Sequence, residues 1–329
     1  MNAGRTIDRV LVIKLGALGD FVLALAAMKH IRQAHPTAAI TLLTTPPFEA
    51  LAQSSGYFNL VETDGRPEGL GDWVRLIGRL RGVRYDRIYD LQTSSKSSLY
   101  FQLLRPFAPA WSGIAFGCAL PHKNPRRNFM HTLERQADQL KDAGIWPDAP
   151  TEPGTAPPPD LSWTVKKAAR ARPSAGGTRK PYALLVPGGS AHRPQKRWPV
   201  ERFAELAARL RARGLDIVII GGPQESALAR QIQSKVQARD LTGRTDFAQI
   251  AVLGAKAALA VGNDTGPLHL IAAAGAPSLA LFSHDSDPAL CAPRGRVMVL
   301  RRPSLEQLSV DEVDAEARRL VAGPAQGVG

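Results

Sequence analysis

Short apolar runs alternate with helical stretches from Val10 to Trp146. Strands are predicted at the runs rich in β-branched residues, namely Arg9–Lys14, Ala39–Leu43, Leu60–Glu62 and Arg87–Leu91. Helices are predicted at Asp20–Ala34, Phe48–Ser54, Gly71–Leu80, Ser95–Leu104 and Leu133–Ala143. Strands that alternate with helices in this way favour a parallel sheet with helices on both faces.

The same alternation resumes at Tyr182. Strands are predicted at Tyr182–Val186, Asp216–Ile220, Leu259–Val261 and Ser278–Phe282. Helices are predicted at Val200–Arg213, Gln224–Gln237, Phe247–Ala255 and Leu268–Ala274, followed by an amphipathic closing segment at Ser304–Val321. Between the two halves lie Pro147–Pro159, which carries six prolines, and the glycine-rich, basic stretch Arg172–Pro181. We therefore expect two doubly wound α/β domains, residues 1–150 and 182–329, joined by a linker at 151–181.

Composition is typical of a soluble globular protein, with 44% hydrophobic and 22% charged residues among 329. No apolar run approaches the ~20 residues that would span a bilayer, and the N-terminus shows no signal-peptide pattern. Cys118 and Cys291 lie far apart and indicate no disulfide framework. The expected compartment is the cytoplasm.

The formal net charge of +13 suggests an acidic partner. Nucleic acid, an anionic membrane surface or a phosphorylated substrate would each suit this charge, and so would a simply solvated surface. Nothing resembles a helix-turn-helix, an RNA-binding sheet motif or a zinc finger, and only 6% of the residues are aromatic. Nucleic acid is therefore not expected as a partner.

The segment at residues 261–269, VGNDTGPLH, predicts a buried strand, a tight turn and a helix start. Asp264 and Thr265 are suitable N-cap residues, and Gly266 lets a ligand approach the backbone. Free N–H groups at such a helix start can bind a phosphate, and His269 could add a donor. The alternative is an ordinary capped helix with a packed histidine.

A second glycine turn, LGALGD at residues 15–20, follows the first predicted strand and places Asp20 at a helix start. Its glycine spacing is GxxG rather than GxGxxG, and no acidic residue follows the second strand to bind a ribose hydroxyl. A nicotinamide site is therefore disfavoured. The position of Asp20 alone is also compatible with a plain N-cap.

Four motifs in order along the chain resemble glycosyltransferase family 9, the heptosyltransferases of lipopolysaccharide core synthesis. They lie at Val10–Pro36, Tyr85–Ser98, Leu185–Leu206 and Leu241–Phe282. The resemblance implies a GT-B architecture, in which two Rossmann-like domains face each other across a cleft. It also implies an inverting, metal-independent transfer of heptose from ADP-heptose to an acidic glycolipid acceptor, the lipopolysaccharide inner core, without a cofactor.

The resemblance also assigns roles to individual residues. Asp20 matches the aspartate of the family's GD motif, which acts as the general base. Lys196 matches the phosphate-binding lysine, and Glu225 matches a carboxylate near the nucleoside. The remaining nucleotide-sugar residues are Asp264, Thr265, Gly266 and His269, and no metal ligands are expected.

For the acceptor, Lys96 matches the lysine of a DLQG..KS stretch, and Arg126 and Arg127 lie in a loop suited to an anion. The chain departs from the family at Thr93, where glycine is usual, and at Ser283–Pro288, which replaces GPT-x-P. These departures leave open another nucleotide-sugar or acceptor. A non-catalytic sugar-nucleotide-binding protein is a further alternative, although it would not need the base Asp20. Contact with the inner face of the inner membrane would suit a glycolipid acceptor.

Overall fold

The structure is a computed structural model that describes residues 7–164, 180–189 and 192–322. A boundary between Pro157 and Pro158 divides the chain into two compact units. Glu134 accepts hydrogen bonds from the backbone N–H groups of Gly154 (2.9 Å) and Ala156 (3.3 Å), which ties the start of the expected linker to the first unit. Residues 165–179, about half of the expected linker at 151–181, lie outside the described residues.

The first unit is a six-stranded parallel sheet with the order β3-β2-β1-β4-β5-β6. Its strands are β1 (Arg9–Ile13), β2 (Ala39–Leu43), β3 (Leu60–Glu62), β4 (Arg87–Asp90), β5 (Ala110–Gly113) and β6 (Leu120–Pro121). Its helices are α1 (Leu18–Ala34), α2 (Glu49–Ser55), α3 (Leu70–Val83), α4 (Ser95–Leu104) and α5 (Thr132–Asp142).

The second unit is also a six-stranded parallel sheet, with the order β12-β11-β10-β7-β8-β9. Its strands are β7 (Tyr182–Val186), β8 (Asp216–Ile219), β9 (Arg239–Asp240), β10 (Leu259–Asn263), β11 (Ser278–Phe282) and β12 (Val297–Arg301). Its helices are α6 (Val200–Ala212), α7 (Ser226–Gln233), α8 (Phe247–Lys256), α9 (Gly266–Ala273), α10 (Pro288–Cys291) and α11 (Val310–Ala322).

In both parallel sheets the order in which successive strands are added reverses between two central neighbours, β1 and β4 in one unit and β7 and β10 in the other. In doubly wound sheets, ligands bind beyond the carboxyl ends of the strands at this switch point. The last residues of these central strands therefore mark where a site should be sought: Ile13 and Asp90 in the first unit, Val186 and Asn263 in the second.

The predicted strands and helices are confirmed, most with ends shifted by a few residues. The closing segment predicted at Ser304–Val321 instead forms a 3-10 turn at Leu305–Gln307, and its helix α11 begins at Val310. The central strands β7, β10 and β11 are buried along their whole length, as expected for strands covered on both faces. Strands β5, β6, β9 and β12 were not predicted. Three of these omissions follow from the sequences, since β6 and β9 have two residues each and β5 is the mixed run AWSG. Strand β12 is the apolar run VMVLR, a signal that the sequence analysis missed. No helix among the described residues is long and apolar enough to cross a membrane.

Candidate active site

The segment predicted to bind phosphate folds as a strand, a turn and a helix. Strand β10 ends at Asn263, Thr265 is the N-cap residue of α9, and Gly266 is its first helical residue. A Cβ atom on Gly262 would lie 2.7 Å from the Cβ of Val186, so only glycine lets β10 approach β7 this closely. Within the described residues, the buried Oγ1 of Thr265 and Nδ1 of His269 have no hydrogen-bond partner. The turn thus offers backbone N–H groups together with two polar side-chain atoms that a ligand could satisfy.

Lys196 is held in an ion pair at this turn. Its Nζ lies 3.0 Å from Oδ2 of Asp264 and also donates to the Ser286 hydroxyl. The Ser286 hydroxyl donates to the same carboxylate oxygen at 2.6 Å, and Nε2 of His269 lies 3.8 Å from Oδ1. Burial alone would raise the pKa of Asp264, but its contacts with His269, Ser286 and Lys196 hold the pKa well below its usual range. Asp264 is therefore ionised and keeps the ammonium group of Lys196 beside the start of α9.

Asn263 fixes the backbone around this cluster. Its side chain is fully buried; Oδ1 accepts from the backbone N–H of Trp198, and Nδ2 donates to the carbonyls of Pro187 and Gly188, all at 2.9 Å. Since Trp198 lies two residues after Lys196, Asn263 positions the lysine segment against the ends of β7 and β10. The sequence analysis did not select this asparagine, although a polar residue at the end of an apolar strand was a usable signal.

Glu225 lies at the same edge of the second sheet. Its side chain is buried, and Oε2 accepts from the backbone N–H of Gly222 at 2.6 Å. A Cβ atom on Gly188 would come 2.6 Å from Cγ of Glu225, so the glutamate packs directly on the turn after β7. The carboxylate therefore caps the turn before α7, and its role toward a nucleoside stays a prediction.

The loop at Ser283–Pro288 is tied to the lysine segment. Oδ1 of Asp285 accepts from Gln195 at 3.1 Å, while Ser286 contacts Lys196 as described above. Asp287 instead caps α10 and pairs with Arg301 at 3.3 Å. In the part of the chain that the structure describes, no group of three or more His, Cys, Asp and Glu side chains is placed to hold a metal ion.

Asp20 lies in the first turn of α1 and is partly buried. The N-cap residue of this helix is Ala17, so the alternative that Asp20 is a plain N-cap is wrong. The preceding Gly16 has φ = +117°, and a Cβ atom there would lie 3.0 Å from the Phe48 ring. Glycine is therefore required for the turn that leads from β1 to Asp20.

Two buried charges that the sequence analysis did not select lie at the ends of β1 and β4. Lys14 is only 4% exposed, and its Nζ donates to the carbonyl of Leu91 at 3.4 Å. Burial lowers the pKa of Lys14; the negative charges of Asp20 and Asp90 oppose this shift, whereas Arg135 adds to it. Asp90 is fully buried and accepts from the backbone N–H groups of Gln92 (3.1 Å) and Thr93 (2.9 Å). Asp20 therefore lies within the electrostatic field of a buried lysine.

Burial raises the pKa of Asp90 to about 6. The pKa of an aspartate in an unfolded chain is ~3.9. Between about pH 4 and about pH 6 the folded protein therefore keeps a proton on Asp90 that the unfolded chain releases. The free energy of unfolding should consequently fall by about 3 kcal/mol as the pH rises from about 4 to about 6. Asp90→Asn keeps the acceptor oxygen and should remove this part of the decline. Urea unfolding of the wild type and of Asp90→Asn across this pH range measures the difference. If the free energy of unfolding changed with pH in the same way in both proteins, the raised pKa of Asp90 would be contradicted.

Thr93 has φ = +44°, in the left-handed region that favours glycine. It replaces the glycine usual in the family, and a β-branched residue in this conformation costs ~1–2 kcal/mol. Thr93→Gly should therefore stabilise the protein by about 0.5–1 kcal/mol after the larger chain entropy of unfolded glycine is subtracted. Thermal unfolding measures this, with Thr93→Ala as the control that removes the hydroxyl but retains Cβ. Equal stability of the glycine and alanine variants would contradict the backbone strain.

The predicted acceptor residues differ in their surroundings. Lys96 is exposed on the first turn of α4, and Arg126 is exposed beside the short 3-10 turn at Arg127–Phe129. Arg127 is partly buried, and its Nε donates to Nδ1 of His122 at 3.2 Å. His122 in turn contacts Oδ2 of Asp138 through Nε2 at 2.9 Å. Burial lowers the pKa of Arg127; the positive charge of Arg135 adds to this shift, whereas the negative charge of Asp90 opposes it.

The two doubly wound units define a two-domain α/β protein whose candidate site residues lie at the carboxyl ends of the central strands. The chain belongs to glycosyltransferase family 9, since the model described as "Glycosyltransferase family 9 (heptosyltransferase)" matches residues 73–314. The protein is therefore a glycosyltransferase with the GT-B fold, which confirms the resemblance and the predicted fold class.

Similar proteins agree with this assignment. Lipopolysaccharide heptosyltransferase 2 of Escherichia coli K12 is 25% identical over 307 residues, covering 84% of this chain and 83% of that protein. The solved structure of E. coli ADP-heptose LPS heptosyltransferase II is 24% identical, with a TM-score of 0.77 over 95% of this chain and 98% of that one. A family 9 glycosyltransferase from Veillonella parvula is 20% identical, with a TM-score of 0.79 over 97% and 99% of the two chains.

Proposed function

We propose that this glycosyltransferase moves heptose from ADP-heptose to the inner core of lipopolysaccharide, with inversion at the anomeric carbon and without a metal ion. The observation that carries the proposal is the partly buried Lys196–Asp264 ion pair at the start of α9, which suits a nucleoside diphosphate. The names of similar proteins support the heptose donor and the lipopolysaccharide acceptor.

In this mechanism the second unit binds the donor. The diphosphate lies at the N-terminus of α9, where Gly266 offers its backbone N–H and Thr265 its hydroxyl. Lys196 neutralises the charge that develops on the leaving diphosphate. In metal-dependent transferases a divalent metal ion performs this task. Asp264 orients that lysine, His269 adds a donor, and Glu225 serves the nucleoside.

The first unit supplies the base. Asp20 takes the proton of the acceptor hydroxyl while the oxygen attacks the anomeric carbon, and the bond from that carbon to the diphosphate breaks on the opposite face. ADP is released and the glycosidic bond forms with inverted configuration. Arg127, Lys96 and Arg126 bind the acidic acceptor.

A donor panel tests this proposal. Purified protein is incubated with ADP-heptose, other ADP-sugars and UDP-sugars, and thermal unfolding and transfer to a lipopolysaccharide inner-core acceptor are measured. A donor at a hundred times its dissociation constant should add about 2.7 kcal/mol of stability. We expect ADP-heptose alone to protect and to be consumed, with activity retained in EDTA and an inverted anomeric signal in the NMR spectrum. Protection by a UDP-sugar only, or loss in EDTA with rescue by Mg²⁺, would overturn the donor or the metal-free mechanism respectively.

A second candidate is a family 9 transferase with another nucleotide-sugar or acceptor. The loop at Ser283–Pro288 favours it, because this loop departs from the family pattern and contacts the lysine proposed to bind phosphate. The same donor panel distinguishes the two. For either candidate, a glycolipid acceptor implies a cytoplasmic enzyme with peripheral contact at the inner face of the inner membrane.

A further inference from the structure

The segment at residues 91–133 combines exposed apolar side chains with an exclusively basic charge. It contains five Lys and Arg residues and not a single Asp or Glu: Lys96, Arg105, Lys123, Arg126 and Arg127. It also carries six large apolar side chains that are exposed to solvent: Leu99, Leu103, Phe107, Ile114, Phe116 and Phe129. Single exposed apolar residues are ordinary, but a concentration of them within an acid-free stretch is not.

Part of this segment forms one continuous surface. Leu99 and Leu103 are one turn apart on α4 and are 44% and 39% exposed. The side-chain amide of Gln102 donates to the carbonyl of Phe116 at 3.0 Å, so the loop after β5 lies beside this helix. A Cβ atom on Gly117 would lie 3.7 Å from the Arg105 guanidinium. We call Leu99, Leu103, Arg105, Phe107 and Phe116 the α4 surface.

Two phenylalanines dominate the α4 surface, since Phe107 is 92% and Phe116 88% exposed. Aromatic rings prefer the boundary between lipid headgroups and acyl chains, and basic residues nearby bind lipid phosphates. The segment itself contributes no acidic side chain that an anionic bilayer would repel. A partner protein would need a face that is both acidic and apolar to match this surface. An anionic bilayer presents negative headgroups above apolar acyl chains over its whole area.

We propose that the α4 surface docks the enzyme onto an anionic phospholipid bilayer. Phe107 and Phe116 insert among the headgroups, Leu99 and Leu103 follow at the boundary, and Arg105 binds lipid phosphate. The same segment also contains an exposed aromatic residue, Phe129, three residues after an exposed cation, Arg126. The inference deepens the proposed function, because a lipid-anchored acceptor is met at such a bilayer.

Vesicle sedimentation without donor or acceptor tests this surface. The full chain is mixed with vesicles of phosphatidylcholine alone or of phosphatidylcholine with phosphatidylglycerol, at low and high salt. We expect binding to the anionic vesicles that weakens with salt. Phe107→Ser with Phe116→Ser should lower the partition coefficient about tenfold or more per ring, and Arg105→Gln should lower it for anionic vesicles only. Leu60→Ser is the matched control, because Leu60 is 53% exposed on β3 at the other edge of the sheet.

The outcomes separate this inference from the proposed function. Absence of binding to anionic vesicles, or equal binding by the double variant and the wild type, would overturn the α4 surface. Loss of a dimer in the double variant by analytical ultracentrifugation would assign the surface to a second copy of the chain instead. Transfer to a water-soluble acceptor fragment should survive both phenylalanine substitutions, whose side chains are exposed. Failure of that transfer in the wild type, with vesicle binding intact, would count against the proposed function alone.

Discussion

Asp20→Asn should lower kcat by about 10²–10⁴-fold, because an amide cannot accept the proton of the attacking hydroxyl. Asparagine keeps the size of the side chain, and Asp20 is not the N-cap of α1, so the fold should be retained. The affinity for ADP should also be unchanged, since the residues proposed to bind its phosphates all belong to the second unit. Steady-state transfer kinetics, ADP titration and thermal unfolding of the variant measure these three quantities.

Asp72→Asn provides a matched control. Asp72 occupies the first turn of α3 as Asp20 occupies that of α1, and it accepts backbone N–H groups there. Its substitution should lower stability modestly and leave kcat unchanged. Near-normal turnover by Asp20→Asn, or a similar loss in both variants, would exclude Asp20 as the base. The proposed role of the first unit would then need another carboxylate.

Lys196→Ala should weaken the binding of ADP and of the donor by about ten- to a hundredfold. Charge-assisted hydrogen bonds of this kind contribute ~1.5–3 kcal/mol, which corresponds to that change in affinity. The structure adds a second expectation, because removal of the ammonium leaves the partly buried Asp264 carboxylate without its cation, with Ser286 and His269 as its remaining side-chain contacts among the described residues. Unfolding of the free variant should therefore become easier as well. Calorimetric ADP titration and urea unfolding separate the two effects.

Thr265→Val and Lys256→Ala complete this test. Valine keeps the shape of Thr265 and deletes a hydroxyl that has no hydrogen-bond partner among the described residues, so it should weaken ADP binding without destabilising the free protein. Lys256 is exposed at the end of α8, and its loss should change neither quantity. His269→Ala should act in the same direction as Lys196→Ala but less. If ADP binds Lys196→Ala and the wild type equally, the lysine serves only the fold.

The local sequence predicted those elements whose backbone conformation is decided by residues adjacent in the chain. The turn between β10 and α9 is one case, because Thr265, Gly266 and Pro267 each suit one backbone position at a helix start. The central strands are another, since strands buried on both faces need uninterrupted apolar runs. The short edge strands β6 and β9 carry no such signal and form because a neighbouring strand is already in place.

The amino-acid sequence by itself determined the two doubly wound domains, the family, and the residue types at each strand end. Only the tertiary structure decided how the charges pair. Lys196 and Asp264 are 68 residues apart, and Lys196 and Ser286 are 90 apart, so no periodicity or motif links them. Burial of Lys14 and Asp90 side by side likewise depends on β1 pairing with β4. A carboxylate or an ammonium takes its pKa from the solvent that the fold excludes and from the charges that it brings close, and both are properties of packing.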